Sequence, residues 1–352
     1  MKYALLIFLI FLVIVRVLTS KPTYQNGKNL RITGKVVQEP SVYSYQQKIT
    51  LLGLKIFLPK YPEIYYGDKI TVQGIINNGE LTNAELLKLE TSNNFLIVFK
   101  KKIVSFWQIT LPEPDASLTA GIVLGYKSAL PKNFSDALKK TGTTHVVVAS
   151  GMNVTFMATF LMLVLTQALT RRKAIILASI GILGYCVMTG FEAPVVRAAA
   201  MAGFMFAAQL TGRVAQAWKG LLVSGLLMLL VKPAWLTDIG FILSFAATTS
   251  LMLFEKKINS FIYFVPGLFR ESLSTALAAQ IGVAPILFIT FGQFNILSPI
   301  INALVLWTVP LIMVFGSIGG VVGLVIPSLG QLVIYLVYPL TRWFINILSL
   351  LA

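Results

Sequence analysis

Acidic residues are scarce in this sequence: 13 Asp and Glu stand against 29 Lys and Arg, and all charged residues make up only 12% of the 352. Soluble domains carry about twice that charged fraction, so water is the wrong solvent for most of the chain. A single cysteine, Cys186, excludes an intramolecular disulfide and any thiolate metal cluster. It lies in an apolar stretch, where packing is its plain role. One histidine, His145, leaves too few nitrogens for a catalytic zinc and only one base for a serine nucleophile. No Gly-x4-Gly-Lys-Ser/Thr run occurs, so no phosphate-binding loop supplies an energy source. A membrane protein without enzymatic chemistry is expected, with no cofactor and no metal.

What the chain has in abundance is long apolar runs. Residues 1–18 read as a rather short, retained N-terminal transmembrane helix, because Thr19-Ser20-Lys21-Pro22 makes a poor signal-cleavage site. After His145, runs near the ~20 residues needed to cross a bilayer repeat to the C-terminus. The expected spans are 145–169, 174–189, 195–210, 220–231, 239–254, 273–291, 297–326 and 329–352. Pro310 and the run Gly316-Ser317-Ile318-Gly319-Gly320 are candidate breaks in the seventh. Arg171-Arg172-Lys173, Arg213 with Lys219, and Lys256-Lys257 follow every second span, which puts them on the cytoplasmic side. The same parity puts the N-terminus in the cytoplasm and residues 19–102 outside.

Residues 19–102 form a separate domain by composition. Short β-rich runs at 30–38, 48–58, 69–77, 81–90 and 95–99, with turns at Gly67-Asp68 and Asn77-Asn78-Gly79, predict five strands. That number in so short a segment fits a small β-barrel of the oligonucleotide-binding (OB) type. Residues 21–102 hold twelve Lys or Arg against six acids, interleaved with aromatics such as Tyr43, Tyr45, Phe57 and Tyr61. Cations track a phosphate chain and aromatic faces stack bases, although a barrel core needs aromatics too. Candidate strand contacts are Lys35, Lys48, Lys55, Tyr43 and Tyr45. Residues 103–143, broken by Pro112, Pro114 and Pro131, read as an amphipathic, interfacial connecting segment, and residues 144–352 as the helical channel domain.

Polar groups entering the apolar region are the candidates for function. His145, in Thr141-Gly142-Thr143-Thr144-His145, can bind a phosphate, gate by protonation or cap neighbouring backbone. Ser150, Gly151 and Asn153 fall within one turn and permit close helix approach or a local break. Glu192 and Arg197 flank Pro194 at the junction of two spans, either as a structural ion pair or facing an aqueous path where Arg197 meets phosphates. Asp238 reads as a helix N-cap.

These blocks resemble the ComEC family of competence proteins, inner-membrane channels for uptake of single-stranded DNA. The resemblance is carried by Leu124-Gly125-Tyr126-Lys127-Ser128-Ala129-Leu130-Pro131, by Thr141 to His145 leading to Ser150-Gly151-Met152-Asn153-Val154, and by Thr189-Gly190 through Pro194 to Arg197. It continues through Pro233-Ala234-Trp235-Leu236, Ala279-Gln280-Ile281-Gly282-Val283-Ala284-Pro285 and Leu297-Ser298-Pro299-Ile300-Ile301-Asn302. Two features depart from the family pattern. Asn153 stands where a second histidine is usual. The sequence is also the short form, without the C-terminal metallo-β-lactamase-like domain of many members.

The resemblance implies a bacterial cytoplasmic-membrane protein with an extracytoplasmic OB-like domain, and adds Gln280 and Asn302 to the candidate DNA path. Expected partners are single-stranded DNA, membrane lipids, and other competence machinery comprising a DNA receptor, a separate nuclease and a translocation motor; a homo-oligomer is left open. The expected function is translocation of single-stranded DNA during natural transformation. The alternatives are a transporter of a smaller anion and a membrane scaffold that presents the OB-like domain.

Overall fold

The computed structural model describes residues 2–19, 26–42, 45–126, 130–292 and 295–351. The chain opens with helix α1 (Lys2–Thr19) and strands β1 (Asn29–Lys35), β2 (Ser41–Val42), β3 (Gln46–Leu51), β4 (Leu54–Pro59), β5 (Lys69–Asn77) and β6 (Glu80–Glu90). It continues as α2 (Phe95–Thr110), α3 (Asp115–Leu124), α4 (Lys132–Thr141), α5 (Thr144–Val147), α6 (Gly151–Ala168), α7 (Arg171–Met188), α8 (Ala193–Leu210) and α9 (Ala217–Val231). A 3-10 turn at Pro233–Thr237 leads to α10 (Ile239–Phe261), α11 (Gly267–Phe291), α12 (Ser298–Val305), α13 (Thr308–Gly323), α14 (Pro327–Tyr335) and α15 (Val337–Leu351). Two compact units result: Met1–Phe99 with Val154–Phe241, and Lys100–Asn153 with Ile242–Ala352.

In the first unit the strands form one sheet in the order β1-β5-β6-β4-β3-β2. Alternation in β3 and β4 sends Gln47, Ile49, Leu51, Leu54, Ile56 and Leu58 inward and leaves Lys48, Lys55 and Phe57 outward. The inward residues join Ile32, Ile70, Val72 and Leu81 in one apolar core. All pairs are antiparallel except β4 with β6, which is parallel and joins Lys55 to Glu80 and Ile56 to Leu81. The sheet is open in its hydrogen bonds, with β1 and β2 as its edges, so closure into the expected barrel is absent from the strand pairing. Those two edges are consecutive in the chain, separated only by residues 36–40.

Buried polar side chains hold the loops of this sheet. Gln47 is fully buried; its Nε2 donates to the carbonyls of Pro59 (2.8 Å) and Pro62 (2.7 Å), and its Oε1 accepts from Ile64 N (3.1 Å). Asp68 accepts from the backbone N–H groups of Tyr65 (2.9 Å) and Ser92 (3.0 Å). Buried polar groups persist when they are satisfied in this way.

The strand expected at residues 95–99 is instead the first turn of α2. A five-residue apolar run does not distinguish strand from helix. Here Asn94 Oδ1 caps Leu96 N at 2.9 Å, and Phe95 stacks on Phe99 one turn later, with ring centroids 5.9 Å apart.

Among the described residues five helical segments are long and apolar enough to cross a membrane: α6, α8, α10, residues 269–290 of α11, and α14 continuing into α15. A sixth is broken, with α12 and α13 meeting at 42°. Exposed Leu163, Ile180, Leu183, Phe288 and Ile289 are the outward apolar surface that lipid tolerates and water does not. The protein is therefore a mostly helical membrane protein with an N-terminal sheet domain.

Two expected boundaries move. The span expected from His145 starts at Gly151, because α5 is a single turn and Val148 is extended. The break in the seventh span falls at Leu306-Trp307, before Pro310, while the glycine run stays helical inside α13. Pro310 sits in the first turn of α13, where a missing N–H costs nothing. The glycines instead admit neighbours: Gly320 faces Trp107 and Ile103, and Gly323 and Gly330 bring the α13 and α14 backbones together.

Candidate functional site

On the sheet domain the outer face of the β3–β4 hairpin gathers cations over aromatic rings. Lys48 pairs directly with Phe57, and its ammonium stands 5.9 Å from the ring centroid. Lys60 Nζ lies 5.4 Å from the Tyr61 centroid, and Tyr61 is exposed. Tyr45, 90% exposed, adjoins them, its carbonyl accepting from Lys60 N at 3.2 Å. Lys55 is on the same face and reaches Glu80 at 3.6 Å. Lys35 stands apart at the end of β1, opposite Lys69. Tyr43 lies outside the described residues.

Past Ile56 and Leu81 the strands β4 and β6 separate, and a groove of about 550 Å³ opens between Leu58, Tyr61 and Pro62 on one side and Glu85 and Lys88 on the other. Nearby, the hydrogen bond from Lys88 and the charge of Lys69 hold the Glu90 carboxyl below the usual carboxylate range.

In the second unit, segments distant in sequence meet along a polar seam. Thr141 and Thr143 are fully buried and share a hydrogen bond of 2.9 Å. Between them Gly142 adopts φ +72°, and a Cβ there would stand 2.6 Å from Ser298 Oγ, so only glycine fits both the left-handed turn and the approach of α12. Ser298 Oγ also accepts from Asn302 Nδ2 at 3.1 Å; Asn302 Oδ1 is buried without a partner among the described residues. Gln280 Nε2 donates to the Asn295 carbonyl (3.3 Å), and Asn295 Nδ2 donates to the Lys140 carbonyl (2.6 Å).

His145 is exposed, and its Nδ1 lies 3.0 Å from the Gly142 carbonyl, which requires the proton on that nitrogen. Asn153 is fully buried: its Nδ2 donates to the Ile122 carbonyl at 2.8 Å, and its Oδ1 accepts from Ser150 Oγ at 3.0 Å. Gly151 opens α6 directly after Ser150. The structure thus brings His145, Asn302 and Gln280 to one seam, and ties Ser150 and Asn153 to α3. The sequence assigns no role to Asn295; a carbonyl contact 155 positions away leaves no local pattern to read.

Glu192 and Arg197 belong to the first unit. Glu192 is the N-cap residue of α8, where a carboxylate complements the helix dipole. Arg197 follows one turn in, half-buried, with Nη1 3.7 Å from Met201 Sδ. The preceding turn carries Gly190 at φ +75°, against which the Tyr66 ring of the sheet domain lies at 3.3 Å from the position of a Cβ. Burial, together with the charge of Glu39, pushes the Tyr66 phenol up from its ordinary value. Asp238 Oδ1 accepts from Phe241 N at 2.9 Å, a cap on α10.

No solved structure matches this chain. ComE operon protein 3 of Bacillus subtilis (strain 168) is 29% identical over 227 residues, covering 64% of this chain and 29% of that protein. The chain therefore matches less than a third of that relative's length. The family described as competence protein matches residues 122–352, which include the whole polar seam, Glu192 and Arg197. By that match over more than half of its length, the protein belongs to the competence protein family.

Proposed function

We propose that this protein carries single-stranded DNA across the bacterial cytoplasmic membrane during natural transformation. The observation that carries the reading is the family match over residues 122–352, on a region of membrane-length helices interrupted by buried polar groups. Moving a polyanion through lipid requires donors and cations in place of water, and Arg197, half-buried in a membrane-length helix, is suited to meet phosphates. Within the second unit Gln280 and His145 offer polar groups to the strand, while Ser150, Gly151, Asn153 and Asn302 hold that unit's polar segments together. A DNA receptor delivers the strand to the protein, and other competence machinery supplies energy.

The sheet domain acts as an OB-like collector on the outer side, with the N-terminus in the cytoplasm. In support, β4 and β6 pair in parallel within an otherwise antiparallel sheet, and its two edge strands are successive parts of one chain segment, as when a bent first strand closes a small barrel. Lys48, Lys55, Tyr45, Phe57 and Tyr61 offer the cation and ring faces that a single strand uses. Disrupting the gene should abolish transformation by added DNA while leaving DNA bound at the cell surface. Normal transformation in the disrupted strain rejects the reading.

A further inference from the structure

A second cation in the helical region has a setting that the family match does not explain. Asp115, the first residue of α3, is fully buried. Its Oδ1 accepts from Thr341 Oγ1 at 2.7 Å, and its Oδ2 lies 3.0 Å from Arg342 Nη2. Thr341 and Arg342 are on α15, more than two hundred positions away in sequence. The guanidinium carbon stands 5.0 Å from the centroid of the Tyr338 ring, one turn earlier on the same helix.

The pair is lopsided in a way that a purely structural bridge is not. Arginine closes on a carboxylate as a two-pronged fork when the two satisfy each other. Here one nitrogen reaches Asp115 without hydrogen-bond alignment, and Nε, itself buried, has no hydrogen-bond partner among the described residues. The carboxylate is sealed off, whereas the Arg342 side chain remains 36% exposed. One edge of the guanidinium is thus fixed by a buried anion and one face by a ring, while about a third of the side chain stays open to a ligand. A cation held this way has lost its side-chain freedom before any ligand arrives, which is how planar recognition of phosphate is prepared.

The geometry points to Arg342 as a phosphate-binding residue of the helical unit, with Asp115 and Tyr338 as the residues that position it. The ligand class is a phosphodiester, from the transported strand or from a lipid headgroup. The strand version rests on the function proposed above; the site itself does not.

The test uses the full chain in lipid nanodiscs and three forms: wild type, Arg342→Gln, and the double variant Asp115→Asn, Arg342→Gln. The amide oxygen that Asp115→Asn introduces would still accept from Thr341, and the double variant leaves no unpaired buried charge, so it separates folding from binding. Binding of a labelled oligothymidylate and retention of phosphatidylglycerol by native mass spectrometry are read in parallel. A folded double variant that loses roughly tenfold or more in oligonucleotide affinity assigns the site to the strand, whereas loss of retained phosphatidylglycerol alone assigns it to lipid. A double variant equal to wild type in both readouts overturns the proposal and makes the pair structural. Wild type that fails to bind the oligonucleotide sinks the transport reading, and the lipid arm then decides the site by itself.

Discussion

The ion pairs of the sheet domain and the Asp115–Arg342 pair of the second helical unit treat charge in opposite ways. In the sheet domain Lys55–Glu80, Lys69–Glu90 and Lys88–Glu90 are ion pairs with both partners exposed. In the helical unit the Asp115 end of the Asp115–Arg342 pair is sealed completely. Exposed pairs contribute about 0–1 kcal/mol, because water competes for both ions and each side chain loses freedom. A sealed carboxylate has no such alternative. Charge in the exposed pairs can drift without consequence for the fold, while the Asp115 carboxylate is committed to Thr341 and Arg342.

The sharpest way to break this comparison is Asp115→Ala, which leaves Arg342 without its anion, while Thr341 Oγ1 keeps the Tyr338 carbonyl as an acceptor at 2.9 Å. A loss of about 3–5 kcal/mol is expected, read as a fall in membrane-inserted protein and in midpoint of denaturation in detergent. A change under about 1 kcal/mol would show that water reaches the pair and that the contrast is false. Next comes Gly142→Ala. The left-handed backbone and the 2.6 Å approach of Ser298 together predict a loss of about 1–3 kcal/mol. Ser298→Ala alone removes Oγ, the nearest atom, so the double variant should recover the steric part and retain the backbone part.

Burial, rather than fold class, is the variable behind the contrast, and Gln47 and Asn153 test that together. Each is a buried amide that satisfies main-chain groups, Gln47 in the sheet domain and Asn153 at the start of α6. Gln47→Ala and Asn153→Ala should each cost about 1–3 kcal/mol, because each leaves buried carbonyls or N–H groups unpaired. Denaturation followed by separate probes for the two regions would give similar losses. If Gln47→Ala were neutral while Asn153→Ala was severe, fold class would matter after all.

The two regions also differed in how much of them could be read in advance. Alternation such as Ile49-Thr50-Leu51 and Leu54-Lys55-Ile56 marks strands at a glance, and lipid imposes a run length that few other structures share. Hence α8 starts at Ala193 where 195 was expected and α14 at Pro327 where 329 was expected, whereas the runs expected at 174–189 and 220–231 form α7 and α9, which are not among the five membrane-length helices. Short apolar runs carry no such period, so the strand expected at residues 95–99 is helix. The glycines of α13 show a second limit: the same residues permit a break or a close contact, and only the neighbours Trp107 and Gly330 decide which. Of the candidate site, the Thr141–His145 and Ser298–Asn302 segments stood out as polar blocks, but nothing local joins them. Asp115 and Arg342 were invisible for the same reason.

The smallest effect on stability is expected at Lys55, and there the comparison bears on function. Lys55 and Glu80 lie 3.6 Å apart with both side chains exposed, so Lys55→Ala should change the denaturation midpoint of the full chain little, within about 0.5 kcal/mol. The effect on strand binding is separable. Lys55 shares the outer hairpin face with Lys48, Phe57, Lys60 and Tyr61, where each phosphate contact releases counterion and adds about 0.7 to the slope of log affinity against log salt for a single strand. Lys55→Ala should therefore weaken oligothymidylate binding at low salt and flatten that slope by about this amount. Lys35→Ala serves as the contrast, since Lys35 lies opposite Lys69 on another strand pair, away from the hairpin. Removing it relieves a like-charge neighbour, which should leave stability unchanged or slightly raised. If Lys35→Ala flattened the salt slope as much as Lys55→Ala, the strand would follow the whole basic domain rather than the hairpin face. Equal slopes in Lys55→Ala and wild type would take the hairpin out of the path.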